Sequence, residues 1–265
     1  MPRPKKETAK SKRFEKSVKA IVRDELQEEL EEKVAVIGIS DVDLDTPSIP
    51  NGNVAASSNV VRIFPVIAQG DGQYNQRVGN EIRLKHLDIK MLMNFSLAEL
   101  STNQNEDAAL GVRVMILKQK DQNSAVGAVE DFQGNKLLEN GLVPASAGPA
   151  AFTGTTFNLL QKINREQFSV RYDKTFYMDA TYRQGSGGAT AVTQSFFPPK
   201  TRVMSKRLTF GKNGLKLTYG DGASTDPTNF PYLLVMGYAS TVSNSVPNNN
   251  LIRYSYTANA AYTDA

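Results

Sequence analysis

The chain has 265 residues, 40% of them apolar, with 12 Phe and 10 Tyr but neither Cys nor Trp. That length and apolar share suit one large β domain or two small ones, and a chain without Cys forms no disulfide framework or thiolate metal site. The formal net charge is only +4, yet it is unevenly divided: residues 1–23 carry nine Lys and Arg against two Glu, and residues 24–45 carry nine Asp and Glu against one Lys.

The first thirteen residues, MPRPKKETAKSKR, hold two prolines and no apolar periodicity, and are expected to be disordered alone. They lack the apolar core of a signal peptide, and no apolar run approaches the ~20 residues of a membrane helix. The chain is therefore expected to be soluble and not secreted. Phe14, Val18, Ile21, Val22, Leu26, Leu30, Val34 and Ile37 recur at steps of three and four. That spacing predicts an amphipathic helix over 14–37, with Gly38 as its C-cap. Its basic front and acidic rear oppose the helix dipole. Such a helix needs a polyanion at its front and a neighbouring chain or domain along its stripe.

Arg3, Lys5, Lys6, Lys10, Lys12, Arg13, Lys16, Lys19 and Arg23 are candidate phosphate ligands, binding nucleic acid without base selectivity. PRPKK and KSKR also fit a nuclear-import pattern. The bland alternative is a solvated surface helix. Asp41, Asp43 and Asp45 start like a calcium loop, but Thr46 replaces the turn glycine and Gly52 stands where the bidentate Glu belongs. An acidic linker is expected there, and TPSIPNGNVAASS over 46–58 reads as linker by composition. The arm is thus 1–58 and the body 59–265.

Eight β-like runs fill the body: 60–68, 80–95, 111–118, 167–178, 201–210, 215–219, 230–239 and 251–261. In the second, Ile82, Leu84 and Leu92 share one parity while Leu87, Ile89, Met91 and Met93 share the other, so both faces are expected to be partly covered. Gly79 is expected to adopt a positive φ or to let a neighbour approach closely. Arg77 and Arg83 read equally well as phosphate ligands or solvated cations. Asp173 is expected to pair with a basic residue of an adjacent strand. Lys212-Asn213-Gly214 reads as a hairpin turn. A short helix is expected within 129–140.

Eight antiparallel strands predict an all-β jelly roll, two sheets packed as a sandwich in Greek-key order, with an up-and-down barrel as the alternative. The connections 96–110, 119–166 and 179–200 are long, and are expected to be functional or contact-making. Arg202, Lys206 and Arg207 form a second basic cluster, read as surface charge or as a further nucleic-acid contact.

Chemistry is sparse. His86 is the single histidine, no G-x-S-x-G elbow occurs, and Gly185-Ser186-Gly187-Gly188 lacks the Lys-Ser/Thr of a phosphate loop. His86 is expected to be a buried or half-buried structural residue. Tyr232, Tyr238, Tyr254, Tyr256 and Tyr262 are expected in the core or an interface rather than stacked on bases. No cofactor, metal or catalytic step is expected.

The order of features carries a resemblance. A basic arm precedes Arg77-Val78-Gly79-Asn80-Glu81-Ile82-Arg83-Leu84 and a long strand. Val170-Arg171-Tyr172-Asp173-Lys174-Thr175-Phe176 follows, then Lys206-Arg207-Leu208-Thr209-Phe210, then the apolar Tyr232-Leu233-Leu234-Val235-Met236. This resembles the single jelly-roll capsid proteins of small eukaryotic viruses with circular single-stranded DNA, the circovirus- and geminivirus-like group. The resemblance implies a coat protein assembling into a small icosahedral shell, the simplest being sixty copies. It also implies an inward arm packaging single-stranded DNA, and a life in the virion and the host nucleus. A coat protein of an RNA virus, a carbohydrate-binding β-sandwich with a charged tail, and a jelly-roll glycosidase are the alternatives.

Overall fold

The structure, a computed structural model, describes residues 16–18, 32–95, 109–140, 148–179 and 201–264. Its strands in chain order are β1 (Lys33–Asp43), β2 (Val60–Arg62), β3 (Glu81–Phe95), β4 (Ala109–Gln119), β5 (Phe168–Asp179), β6 (Arg202–Thr209), β7 (Leu215–Thr218), β8 (Tyr232–Ser240) and β9 (Ile252–Asp264). One sheet runs β1-β9-β3-β6 with β7 also on β3, and the other runs β2-β8-β4-β5. All neighbours are antiparallel. Counting β6 and β7 as one interrupted strand, the orders are first–eighth–third–sixth and second–seventh–fourth–fifth. That is the jelly roll, and it rules out the up-and-down barrel, in which sequence neighbours pair.

Each of the eight runs expected from 60 onward contains a strand, although the run 60–68 is strand only over Val60–Arg62, and β1 is an addition. The helix expected to continue to Ile37 does not, because Lys33–Asp43 is strand hydrogen-bonded along β9. Ala35, Ile37 and Ile39 turn inward and Val36, Gly38 and Ser40 outward. Val34 through Ile39 is rich in β-branched residues, and their burial against β9 outweighs the helical spacing. Residues 16–18 are helical and exposed; residues 14–15 and 19–31 of the expected helix lie outside the described residues. Nor is 46–58 a free linker. Ile49 and Val54 are buried, and Gly52 exchanges backbone hydrogen bonds with Phe132. The folded body therefore starts at β1 rather than at residue 59.

β3 resolves its mixed parity differently from expectation. Leu84 pairs with Tyr262 and His86 with Ala261, so Lys85 is an extra, bulged residue. A bulge reverses the phase of the following residues. Ile82 and Leu84 before it, and Leu87, Ile89, Met91 and Met93 after it, all reach the same core. One face is buried, not both: Lys90 and Leu92 are exposed on the other.

Opposite the bulge, the partner strand breaks. β6 pairs with His86–Met93 and β7 with Glu81–Leu84, so Lys212-Asn213-Gly214 is a loop within one strand rather than a hairpin. Gly214 has φ +69°, and a Cβ on it would lie 2.8 Å from the Leu84 carbonyl oxygen. Gly79, by contrast, has no positive φ, and a Cβ on it would meet only the Glu81 nitrogen at an ordinary 3.9 Å, so neither expected reason for glycine applies there.

β4 and β8 are buried on both faces, which accounts for their unbroken apolar sequences. Their inner side chains, such as Val114, Met236 and Tyr238, join the core between the sheets. Their outer side chains, such as Met115, Leu233 and Val235, join a second core with Ile49, Val54, Phe132, Leu138 and Phe152. The 119–166 connection thus supplies an apolar layer over one sheet. The expectation that it is mainly a contact-making loop does not cover this role. It contains the short helix α1 (Ala125–Glu130), capped by Ser124 and placed slightly earlier than expected, and a 3-10 turn at Gly134–Lys136. The 96–108 and 180–200 connections lie outside the described residues.

Candidate nucleic-acid interface

The charged arm joins the body at one end of the sandwich, where β1 starts and β9 ends. Lys33 Nζ donates to Asp264 Oδ2 at 2.7 Å and to the Gln76 carbonyl at 3.0 Å. The Tyr74 hydroxyl donates to the Glu32 carbonyl at 3.1 Å, and Lys85 Nζ lies 3.5 Å from the Glu32 carboxylate. The β3 bulge therefore aims Lys85 at the root of the arm. Of the nine cations expected to bind phosphate in the arm, Lys16 is described and is exposed; the other eight lie outside the described residues.

Arg77 takes neither expected role. It is fully buried under the same end of the sandwich. Its guanidinium donates to the carbonyls of Gly79, Asp221 (2.8 Å) and Ser224 (2.7 Å) and to Asn80 Oδ1 (3.2 Å). It also lies 4.1 Å from the centre of the Tyr219 ring. A cation with that many carbonyl acceptors ties two loops together. Asp43 likewise binds Arg253 through Nε (2.8 Å) and Nη2 (3.1 Å), and Asp45 exchanges hydrogen bonds with Ser58. The acidic run that resembled a calcium loop is thus consumed by structure. Among the described residues no group of three or more His, Asp and Glu is placed to hold a metal.

The basic trio of β6 is split by strand alternation. Arg207 faces outward and binds Asp88 through two parallel hydrogen bonds of 2.6 and 2.7 Å. That bond is the main reason the Asp88 carboxyl sits below its ordinary range; burial works against it. His86, half-buried as expected, lies 3.6 Å from the same carboxylate. Arg202 and Lys206 have the opposite parity, are half-buried, and lean across the flank toward β5. Arg202 Nε donates to the Tyr177 carbonyl at 2.8 Å, and Lys206 Nζ lies 5.7 Å above the Tyr172 ring.

Two further cations on β5 join them, neither singled out from the sequence. Tyr172 pairs with Ile116 and Val170 with Leu117, so Arg171 is a bulged residue in this edge strand. Its guanidinium lies 5.8 Å from the Phe210 ring and donates to the Tyr232 hydroxyl at 3.2 Å. Lys174 lies 5.0 Å above the Phe176 ring. The available signal was parity: Lys174 is a cation between Tyr172 and Phe176 in an otherwise apolar file. Asp173, on the other face, is gripped by Arg113. The five tyrosines of the last strands are buried, as expected.

No family model matches the chain, and no curated protein is similar to it. Solved structures with some likeness include polyomavirus VP1 proteins. Merkel cell polyomavirus VP1 in complex with disialyllactose aligns over 89% of this chain and 97% of its own, at 9% identity and a TM-score of 0.30. Trichodysplasia spinulosa-associated polyomavirus VP1 in complex with GM1 oligosaccharide aligns over 87% and 93%, at 8% identity and a TM-score of 0.25. Scores this low add nothing to what the strand order establishes.

Proposed function

We propose that the chain is a viral coat protein: copies of the jelly roll pack into a small icosahedral shell, and the basic leader condenses a single-stranded genome inside it. The observation that carries this reading is the charge division across the fold. Nine Lys and Arg are gathered in residues 1–23, ahead of a body many of whose cations are tied to carboxylates or carbonyls. A polycationic segment joined to a folded building block suits the release of counterions from a polyphosphate without base reading. The simplest shell has sixty copies, the genome is DNA, and assembly is in the host nucleus; these finer points rest on the family resemblance.

Electron microscopy of the purified protein, with and without nuclease, tests this. Closed isometric particles containing protected nucleic acid are expected. Removing residues 1–23 should empty the particles while the body stays folded. A protein that remains monomeric at high concentration and ignores oligonucleotides at low ionic strength would overturn the reading.

A further inference from the structure

We propose a second phosphate-binding site on the folded body, along the flank between the edge strands β5 and β6, formed by Arg171, Lys174, Arg202 and Lys206. Its ligand is the backbone of a single-stranded nucleic acid. That ligand follows the coat-protein reading; the site itself stands on its own geometry.

None of these four cations has a carboxylate partner among the described residues. Three are held over aromatic rings and Arg202 by a carbonyl. A ring attracts a cation without neutralising it. The charges therefore remain available to an anion while their positions are restrained. The one carboxylate inside this stretch of β5, Asp173, is engaged by Arg113. Arg207, Arg253, Lys33 and Lys216, by contrast, each face an Asp or Glu.

Spacing favours a linear polyanion over a single carboxylate. Arg171 and Lys174 are three residues apart on β5, and Arg202 and Lys206 four apart on β6, or roughly 10 and 13 Å at strand rise. The contacts of Arg171 with Phe210, Lys206 with Tyr172 and Arg202 with Tyr177 place these pairs on facing edges. The result is an elongated double row.

The test uses the full-length chain and a fluorescein-labelled oligothymidylate, with binding followed by anisotropy across a salt series. Lys174→Gln with Lys206→Gln should lower the slope of log K against log salt by about 1.4, since each phosphate neutralised on a single strand contributes roughly 0.7. Lys174→Arg with Lys206→Arg should restore it, and thermal melting should show both variants folded. Photocrosslinking to a bromodeoxyuridine oligonucleotide should label peptides from β5 or β6. An unchanged slope in a folded Gln variant, or crosslinks confined to the arm, would overturn the flank site and leave the coat reading standing. So would chemical crosslinks that tie the four cations to residues 24–32 instead. Failure of the wild-type chain to bind the oligonucleotide at all would remove the coat reading itself.

Discussion

Arg113 and Asp173 meet across the β4–β5 pair in a two-pronged hydrogen bond, Nε to Oδ1 at 2.8 Å and Nη2 to Oδ2 at 2.7 Å. Arg113 is almost fully buried, and its remaining nitrogen donates to the Asn158 and Gln161 carbonyls. Asp173→Ala leaves that guanidinium buried without its counter-charge. A loss of about 3 kcal/mol in unfolding free energy is expected, read from urea denaturation.

The Asp88–Arg207 pair should show as a pH-dependent term. A carboxyl whose pKa falls on folding adds stability above its unfolded pKa and loses it as pH drops through the folded value. Asp88 lies below its ordinary 3.8, first through the Arg207 hydrogen bond. Arg207→Gln should therefore melt slightly below wild type at neutral pH. The two melting curves should converge in acid once Asp88 is protonated. A difference that persists there would assign the effect to packing instead.

Buried phenols set an alkaline limit. Burial raises Tyr256 and Tyr262 to about 12 and pushes Tyr219 and Tyr254 higher still. A raised phenol contributes its full stability below its unfolded pKa of about 10 and loses it as pH rises through the folded value. Absorbance at the phenolate band near pH 11 should therefore show fewer ionised tyrosines in the folded protein than in urea. Stability should fall across the same interval.

The second core makes a packing prediction. Phe152 is buried against Gly237, where a Cβ would come within 2.8 Å of its ring and 3.0 Å of Ile49. Phe152→Ala should cost about 3–5 kcal/mol, as large-to-small changes in cores do. Gly237→Val, which overfills the same place, should cost about 1–3 kcal/mol. Near-neutral outcomes in chemical denaturation would mean that the loop layer is not part of the cooperative unit.

Gly214→Ala tests the paired irregularity of β3 and its interrupted partner. It forces a side chain into a positive φ and toward the Leu84 carbonyl. The expected loss is about 1–2 kcal/mol. Gly211→Ala meets no neighbour but shares the positive φ, so it should cost less.

Much of the fold was legible along the chain. Eight strands were readable from local apolar runs, but the break in parity between Leu84 and Leu87, read as two covered faces, is a bulge that shows only in the pairing with β9. Strand β1 was not legible, because Phe14 through Ile37 spaces its apolar residues like a helix. Only the free edge of β9 makes Lys33–Asp43 a strand. The 119–166 connection was read as a surface loop because its apolar residues are scattered. They converge only when laid over β4 and β8.

The sequence by itself determined the all-β character and the separation of a basic leader from the body, since alternation and charge count are local properties. Which body cations remain uncompensated was decided by the tertiary structure. Arg207 finds Asp88 across 119 positions of chain and is neutralised. Lys206, one residue earlier, points the other way onto Tyr172 and keeps its charge. A one-residue step in a strand exchanges faces, and what stands on each face is set by which distant strand packs there.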